Sequence, residues 1–228
     1  MRASDVMATH VVTIDQNSTV GQLARLLVDN YISGAPVIDE SGRVVGMISE
    51  GDLIRRAEID TDSGPSGWLA WFSTGTERAR DFLKTHSAYA TDVMTHPAIT
   101  VSPDTPLADI ARTMEKRRVK RVPVIENGKL VGLVSRADLL RALASRAAIE
   151  PRAPDSADAA VREAVIEMLA EEQDWAGSAM INVIVSDGTA HLWGVVDNET
   201  QRRALVVAAE GVPGVRGVED HLGRSLPT

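Results

Sequence analysis

The chain repeats itself, and a repeat this short restricts how it can fold. Asp5-Val6-Met7 returns as Asp92-Val93-Met94, and Val12-Thr13-Ile14 returns as Ile99-Thr100-Val101. An amphipathic helix follows in each copy: Val20, Leu23, Ala24 and Leu27 match Leu107, Ile110, Ala111 and Met114, all spaced i, i+3, i+4, i+7. Ser18 is placed to cap the first helix and Thr105 the second, with Pro106 at its first helical position. Two short strands come next. Ala35-Pro36-Val37-Ile38 turns at Ser41-Gly42 into Val44–Ile48, and Val122-Pro123-Val124-Ile125 turns at Asn127-Gly128 into Leu130–Val134. Asn-Gly is a strong hairpin signal because both residues tolerate positive φ. Each copy closes on Ser-x-x-Asp-Leu (Ser49, Asp52, Leu53; Ser135, Asp138, Leu139) and a further helix. A unit of about 50 residues cannot bury both faces of so small a sheet. Two copies are therefore expected to pack together about a pseudo-two-fold axis, with equivalent clefts between them.

Both copies resemble the CBS motif, named after cystathionine β-synthase, and as a pair they resemble a Bateman module. The resemblance rests on Asp-Val-Met, the x-Pro-Val-Ile strand and the Gly-x-x-Ser-x-x-Asp run, and covers about 1–58 and 88–147. It implies a βαββα-like repeat whose clefts take adenosine-containing ligands such as ATP, ADP, AMP or S-adenosylmethionine. It also implies that the Ser meets phosphate or ribose while the Asp accepts from ribose hydroxyls. Carried onto this chain, those residues are Ser49 with Asp52 and Ser135 with Asp138; Thr13 and Thr100, at the centre of the repeated triplets, are further candidates. Ser-x-x-Asp ahead of an apolar helix is equally a capping box. The two roles are compatible, since a helix N-terminus is itself a place for phosphate.

The copies differ in charge. Five basic residues in six, Lys116-Arg117-Arg118-Val119-Lys120-Arg121, precede the second Pro-Val strand, where the first copy has Asp29-Asn30-Tyr31-Ile32-Ser33-Gly34. Within the resemblance, Lys120 and Arg121 match a basic position that meets phosphates, and an arginine fork suits that task. The second copy is thus expected to hold phosphorylated ligands more tightly. The same cations also suit a helix C-terminus, whose dipole they complement.

Charge also marks a boundary. The net charge of −8 falls entirely after Pro154, where 13 acidic residues face five basic ones. That acidity argues against nucleic acid and anionic lipid as partners. The chain has no cysteine, which removes disulfides, thiolate metal sites and thiol nucleophiles. Neither a signal peptide nor a membrane-spanning run is visible, so a cytoplasmic location is expected. Between the repeats, 59–87 carries Trp68, Trp71, Phe72 and Phe82, and Tyr89 follows; so much aromatic surface in a connector suggests a packed excursion or a dimer interface. Homodimerisation through the paired repeats is expected from the resemblance.

From Ser156 onward the pattern is α-β-β-α-β. A helix carries Val161, Val165, Met168 and Leu169 on one face; Ile181, Val183 and Val185 alternate up to an Asp187-Gly188 turn. Ala190 and Leu192 alternate in the next strand, Asp197 is placed to cap a second helix ending at Gly211, and a last strand runs to about Leu222. Ala190–Asp197 and Val212–Val218 resemble a BON domain over 155–226, with Gly194 as the family's glycine, read here as a tight strand exit. The resemblance suggests phospholipid, envelope or protein docking.

No catalytic constellation is present: there is no P-loop, Gly-x-Ser-x-Gly or dinucleotide fingerprint. The five histidines lack metal-ligand spacing, and His191 and His221 are expected at the surface; no metal or covalent cofactor is expected. The sequence therefore reads as a mixed α/β (α+β), non-enzymatic regulatory protein with two CBS repeats and an αββαβ BON domain. It would sense an adenosine ligand and relay its state through the BON domain to an unknown protein partner. The competing reading is a ligand-free dimeric scaffold in which the Ser-x-x-Asp runs are only caps.

Overall fold

A computed structural model describes residues 1–54, 86–146, 156–172 and 181–224. Trp68, Trp71, Phe72 and Phe82, and the boundary at Pro151–Pro154, lie outside the described residues. The elements are β1 (Ile14–Asp15), α1 (Val20–Asp29), β2 (Gly34–Ile38), β3 (Val44–Ser49), α2 (Glu50–Ile54) and α3 (Ala90–Val93) in the first part. They continue as α4 (Leu107–Arg117), β4 (Arg121–Glu126), β5 (Lys129–Ser135), α5 (Arg136–Arg146), α6 (Ser156–Glu171), β6 (Asn182–Ser186), β7 (Thr189–Val196), α7 (Glu199–Glu210) and β8 (Gly217–Arg224).

These elements gather into two compact units: Val11–Ile99 with Asn127–Leu130, and Met1–His10 with Thr100–Glu126 and Val131–Thr228. The division does not follow the repeats. Apart from the Asn127–Leu130 turn of the second hairpin, each unit combines the helix and hairpin of one copy with the Asp-Val-Met segment of the other. In the first unit, β1 pairs in parallel with β2, and β2 pairs antiparallel with β3. Ala90 and Val93 of the second copy complete a core of Ile14, Leu23, Leu27, Ala35, Val37 and Ile48. Met47 and Thr95 exchange backbone hydrogen bonds of 3.0 and 2.9 Å. In the second unit, Ala8 and Leu133 do the same at 2.9 Å, and Val101 bridges Val124 in parallel as Ile14 pairs Val37 in the first copy.

A glycine admits each exchanged segment. A Cβ on Gly46 would lie 2.5 Å from Met94 Sδ and 3.1 Å from the Thr95 carbonyl oxygen. A Cβ on Gly132 would lie 2.5 Å from Met7 Sδ and 3.1 Å from that of Ala8. The glycine of each Gly-x-x-Ser run thus clears the space into which the methionine of the other copy's Asp-Val-Met packs.

The expected stripes hold with one change. Leu23 and Leu27 on α1, and Ile110 and Met114 on α4, are buried, whereas Ala24 and Ala111 face outward beside the core rather than into it. Caps sit one residue later than expected. Thr19, not Ser18, accepts from the Gln22 N–H of α1 in a reciprocal box. Pro106, not Thr105, occupies the N-cap of α4, while Thr105 Oγ1 accepts from Ser102 N–H. The Asn-Gly and Asp-Gly turns adopt positive φ at both residues, with Asn127 at 49° and Gly128 at 78°, and Asp187 at 51° and Gly188 at 73°.

The C-terminal domain follows the expected α-β-β-α-β order. β6 pairs antiparallel with β7, and β7 pairs in parallel with β8. Val161, Val165, Val183, Val185, Ala190, Leu192, Leu205 and Leu222 form its core. Asn198, rather than Asp197, caps α7 through Gln201 N–H, and Gln201 Oε1 accepts from Asp197 N–H in return. Gly194 lies inside β7, opposite Leu222, because β8 continues the ladder to Val196. The sheet's second face is covered as well: Asn182, Ile184 and His191 alternate with the core residues and are 6%, 0% and 1% exposed.

Gly132→Ala is expected to destabilise the fold by about 1–3 kcal/mol through overpacking against Met7. In urea denaturation, Met7→Ala in the same chain should recover part of that loss, and strictly additive costs would show that the two residues do not compete for one space.

Candidate functional site

The two Ser-x-x-Asp turns have the same internal geometry. Asp52 Oδ2 accepts from the Ser49 N–H at 3.0 Å and from its hydroxyl at 2.7 Å. Asp138 Oδ2 accepts from the Ser135 N–H at 2.8 Å and from its hydroxyl at 2.6 Å. The acid therefore folds back as in a capping box, and the serine proton is committed to the acid. The complementary half, Asp138 N–H to Ser135 Oγ, is long at 3.4 Å. The other oxygen of each acid, Oδ1, turns to partners outside the Ser-x-x-Asp run.

At that oxygen the copies part. Asp52 is half-buried, and its Oδ1 accepts from Thr95 Oγ1 at 3.4 Å. Asp138 is 3% exposed, and its Oδ1 accepts from Arg141 Nη1 at 2.8 Å and from Asn182 Nδ2 at 2.9 Å. A buried carboxylate without such partners would be costly, and these donors offset its desolvation.

Asn182 opens β6, so the donor comes from the C-terminal domain. Its second amide proton goes to the Val6 carbonyl at 3.0 Å, leaving Oδ1 buried without a hydrogen-bond partner among the described residues. Arg162 of α6 reinforces the junction. Its Nη2 donates to the Met7 carbonyl at 2.7 Å and its Nε to the Val183 carbonyl at 2.8 Å. Burial lowers the Arg162 pKa to about 10, against the pull of Asp5 and Asp138, so it stays charged at neutral pH. The second face of the BON-like sheet thus sits on the exchanged Asp-Val-Met segment and on the Asp138 turn.

The other expected contacts lie around the turns. Lys120 is exposed and Arg121, the first residue of β4, is half-buried. The Lys120 carbonyl accepts from Arg136 N–H at 3.0 Å, which holds this basic pair beside the Ser135 turn. In the first copy the Ser33 carbonyl accepts from Glu50 N–H at 3.2 Å at the equivalent place. Thr13 is half-buried one residue before β1, and Thr100 is exposed one residue before the Val101 bridge. Sequence reasoning missed Arg141, Arg162 and Asn182. Arg141 was visible in principle, one turn after Asp138 on the same helix. Asn182 lies 44 residues from its partner and carries no local signal.

His191 was expected at the surface and is instead 1% exposed, because the second face of β7 is covered. Burial pushes its imidazole toward the neutral form, against the opposing pull of Glu219. Among the described residues, no helix is long and apolar enough to cross a membrane.

Comparison with known proteins matches this architecture. The family model of the CBS domain matches residues 3–58 and 90–145, and that of the BON domain matches 157–223. The protein MJ1426 of Methanocaldococcus jannaschii is 32% identical over 157 residues, spanning 63% of this chain and 91% of that one. The chloroplastic CBS domain-containing protein CBSX2 of Arabidopsis thaliana is 32% identical over 140 residues, 58% of either chain. The crystal structure of CBSX2 in complex with AMP matches with a TM-score of 0.55 at 29% identity, over 64% of this chain and 97% of that one. The CBS domain pair of MJ0100, solved with 5′-methylthioadenosine and S-adenosyl-L-methionine, shares the fold, with a TM-score of 0.50 at 21% identity over 64% and 98%. The chain belongs to the CBS-domain family, as a tandem CBS pair followed by a BON domain.

Asn182→Ala should cost about 1.5–3 kcal/mol, because a hydrogen bond to a buried carboxylate is lost. Asn182→Asp should cost more, since it sets a second carboxylate beside Asp138. Thermal denaturation at neutral pH checks both, and an unchanged melting temperature in each variant would show that the junction contributes nothing.

Proposed function

We propose that this protein is a non-enzymatic regulator that binds an adenosine-containing ligand through its CBS pair and relays occupancy through its BON domain. The observation that carries the reading is the hydrogen bond between Asn182 and Asp138. If Asp138 serves ribose hydroxyls, as the family resemblance implies, one oxygen has two competing partners, the ligand and the BON domain. Ligand binding would then loosen the BON junction, and a firmly seated junction would weaken ligand binding by the same factor. A single charge-assisted bond of about 1.5–3 kcal/mol corresponds to roughly tenfold or more in affinity.

Ser135, Asp138, Lys120, Arg121 and Thr100 form the second-copy set, with Ser49, Asp52 and Thr13 as its first-copy counterpart. Positive charge favours the second copy for a phosphorylated ligand, while burial of Asp138 opposes it until Asn182 withdraws. The AMP complex of CBSX2 supports a ligand of this class. The setting we envisage is the cytoplasm, where such ligands are abundant. The burial of Asp138 and its four hydrogen bonds to protein groups also favour the second reading, a ligand-free scaffold in which the turn only caps a helix.

Calorimetry with AMP, ATP, adenosine and S-adenosylmethionine separates the two. The regulatory reading expects at least one of them to bind, Arg121→Ala to weaken ATP more than adenosine, and Asn182→Ala to tighten AMP by roughly tenfold. Binding that Asn182→Ala leaves unchanged would remove the relay alone. Absence of binding in both the parent and Asn182→Ala would leave the scaffold.

A homodimer is the second part of the proposal, with a second copy covering the face made by α4 and α5. Leu140 and Leu143 are 66% and 67% exposed there. An apolar groove beside them is lined by Met1, Leu107, Ala108, Ala111, Leu139 and Leu143, and its alanines permit close helix approach. Light scattering should give about twice the 24.5 kDa of the chain, and Leu143→Glu should shift the mass toward one chain. A monomeric parent at micromolar concentration would rule this interface out.

A further inference from the structure

The BON sheet brings together three donors that no spacing in the sequence connects. His191 on β7 lies opposite Glu219 on β8 in the parallel register, and His221 follows two residues along β8. Their ligand atoms converge: His191 Nδ1 is 3.2 Å from Glu219 Oε2, His221 Nε2 is 3.4 Å from the same oxygen, and the two nitrogens are 3.4 Å apart. We infer that His191, Glu219 and His221 form a binding site for a divalent transition-metal ion, with Zn²⁺ the best match.

The geometry is the main argument. A tetrahedral zinc site with bonds of 2.0–2.1 Å has ligand atoms about 3.3–3.4 Å apart. The three separations found here form a nearly equilateral triangle of that size, one face of such a tetrahedron. Two imidazoles and one carboxylate are a donor set that zinc accepts, and three protein ligands leave a fourth position for water. Hard cations such as Mg²⁺ and Ca²⁺ prefer oxygen-rich sites of higher coordination number, which this set does not supply.

The rings are also held in place. The His221 ring stacks on Trp193 with centroids 3.9 Å apart and planes 11° from parallel. His191 is 1% exposed, so its ring has little freedom, and its Nε2 is buried without a hydrogen-bond partner among the described residues. Its Nδ1 is the nitrogen near the other two donors, 3.2 Å from Glu219 Oε2 and 3.4 Å from His221 Nε2. The Glu219 and His221 side chains are 49% and 31% exposed, so an ion can enter from the β8 side. Asp220, between them, turns to Arg202 at 2.7 Å and does not compete for the ion.

The test uses the full chain, stripped with a chelator and dialysed. Titration with Zn²⁺ should show one ion bound per chain. Co²⁺ in the same position should give the intense visible absorption of tetrahedral coordination. His221→Ala and Glu219→Gln should each weaken Zn²⁺ at least tenfold and remove the Co²⁺ band; their folding is checked by circular dichroism, and the two exposed positions make it unnecessary to alter buried His191. No Zn²⁺ binding by the parent protein would overturn the site. So would a parent affinity and Co²⁺ spectrum retained by both variants, since the ion would then sit on other histidines.

Discussion

A methionine packed against a glycine is the contact from which the rest of the molecule follows. Met7 fills the space that Gly132 leaves open, and Met94 does the same at Gly46. Each contact draws the opening segment of one repeat onto the hairpin of the other, where backbone bonds at Ala8–Leu133 and Met47–Thr95 secure it. Neither copy completes its core alone: Ala90 and Val93 are integral to the core that contains Ile14 and Val37. The repeat is therefore a repeat of sequence but not an independent folding unit, which is why the compact units cut across it.

The exchange also prepares a surface. Once residues 5–8 lie on the second copy, the carbonyls of Val6 and Met7 become acceptors for the C-terminal domain, and Asn182 and Arg162 take them. A buried arginine is tolerable there because each bond ends on a carbonyl and the charges of Asp5 and Asp138 offset part of its desolvation. Both faces of the BON sheet are consequently covered. One holds the domain's own core, and the other carries Asn182 and Ile184, which reach 6% and 0% exposure.

Legibility in the sequence followed distance along the chain. The repeat, the stripes through Leu23, Leu27, Ile110 and Met114, and the Asn127-Gly128 and Asp187-Gly188 turns are local patterns, and the structure places them as expected. Helix starts slipped by one residue because neighbouring residues competed for the cap: Thr19 won over Ser18 through its reciprocal bond with Gln22, and Asn198 over Asp197 through Gln201. Ala24 and Ala111 fit the apolar period, yet a single methyl is too small to require burial, so periodicity alone could not orient them. The Asn182 partner of Asp138 and the cluster around His191 were hidden because both depend on strand docking and register, joining residues 28 or more apart.

The contrast between Asp52 and Asp138 shows where asymmetry in a duplicated module can originate. Their turns agree within about 0.2 Å in the Ser–Asp bonds, so nothing within the motif distinguishes them. The basic run before β4 distinguishes them by charge, a difference written in the repeat itself. A second difference comes from outside the repeat, since Asn182 belongs to the appended domain and donates to the second acid. An appended domain that donates into one copy changes the hydrogen bonding of that copy's carboxylate while leaving its Ser-x-x-Asp turn as it is. Asymmetry between two equal turns then does not require either motif to change. One amide, delivered by a third domain onto a carboxylate that the duplicated fold already presents, is sufficient to give two identical turns different chemistry.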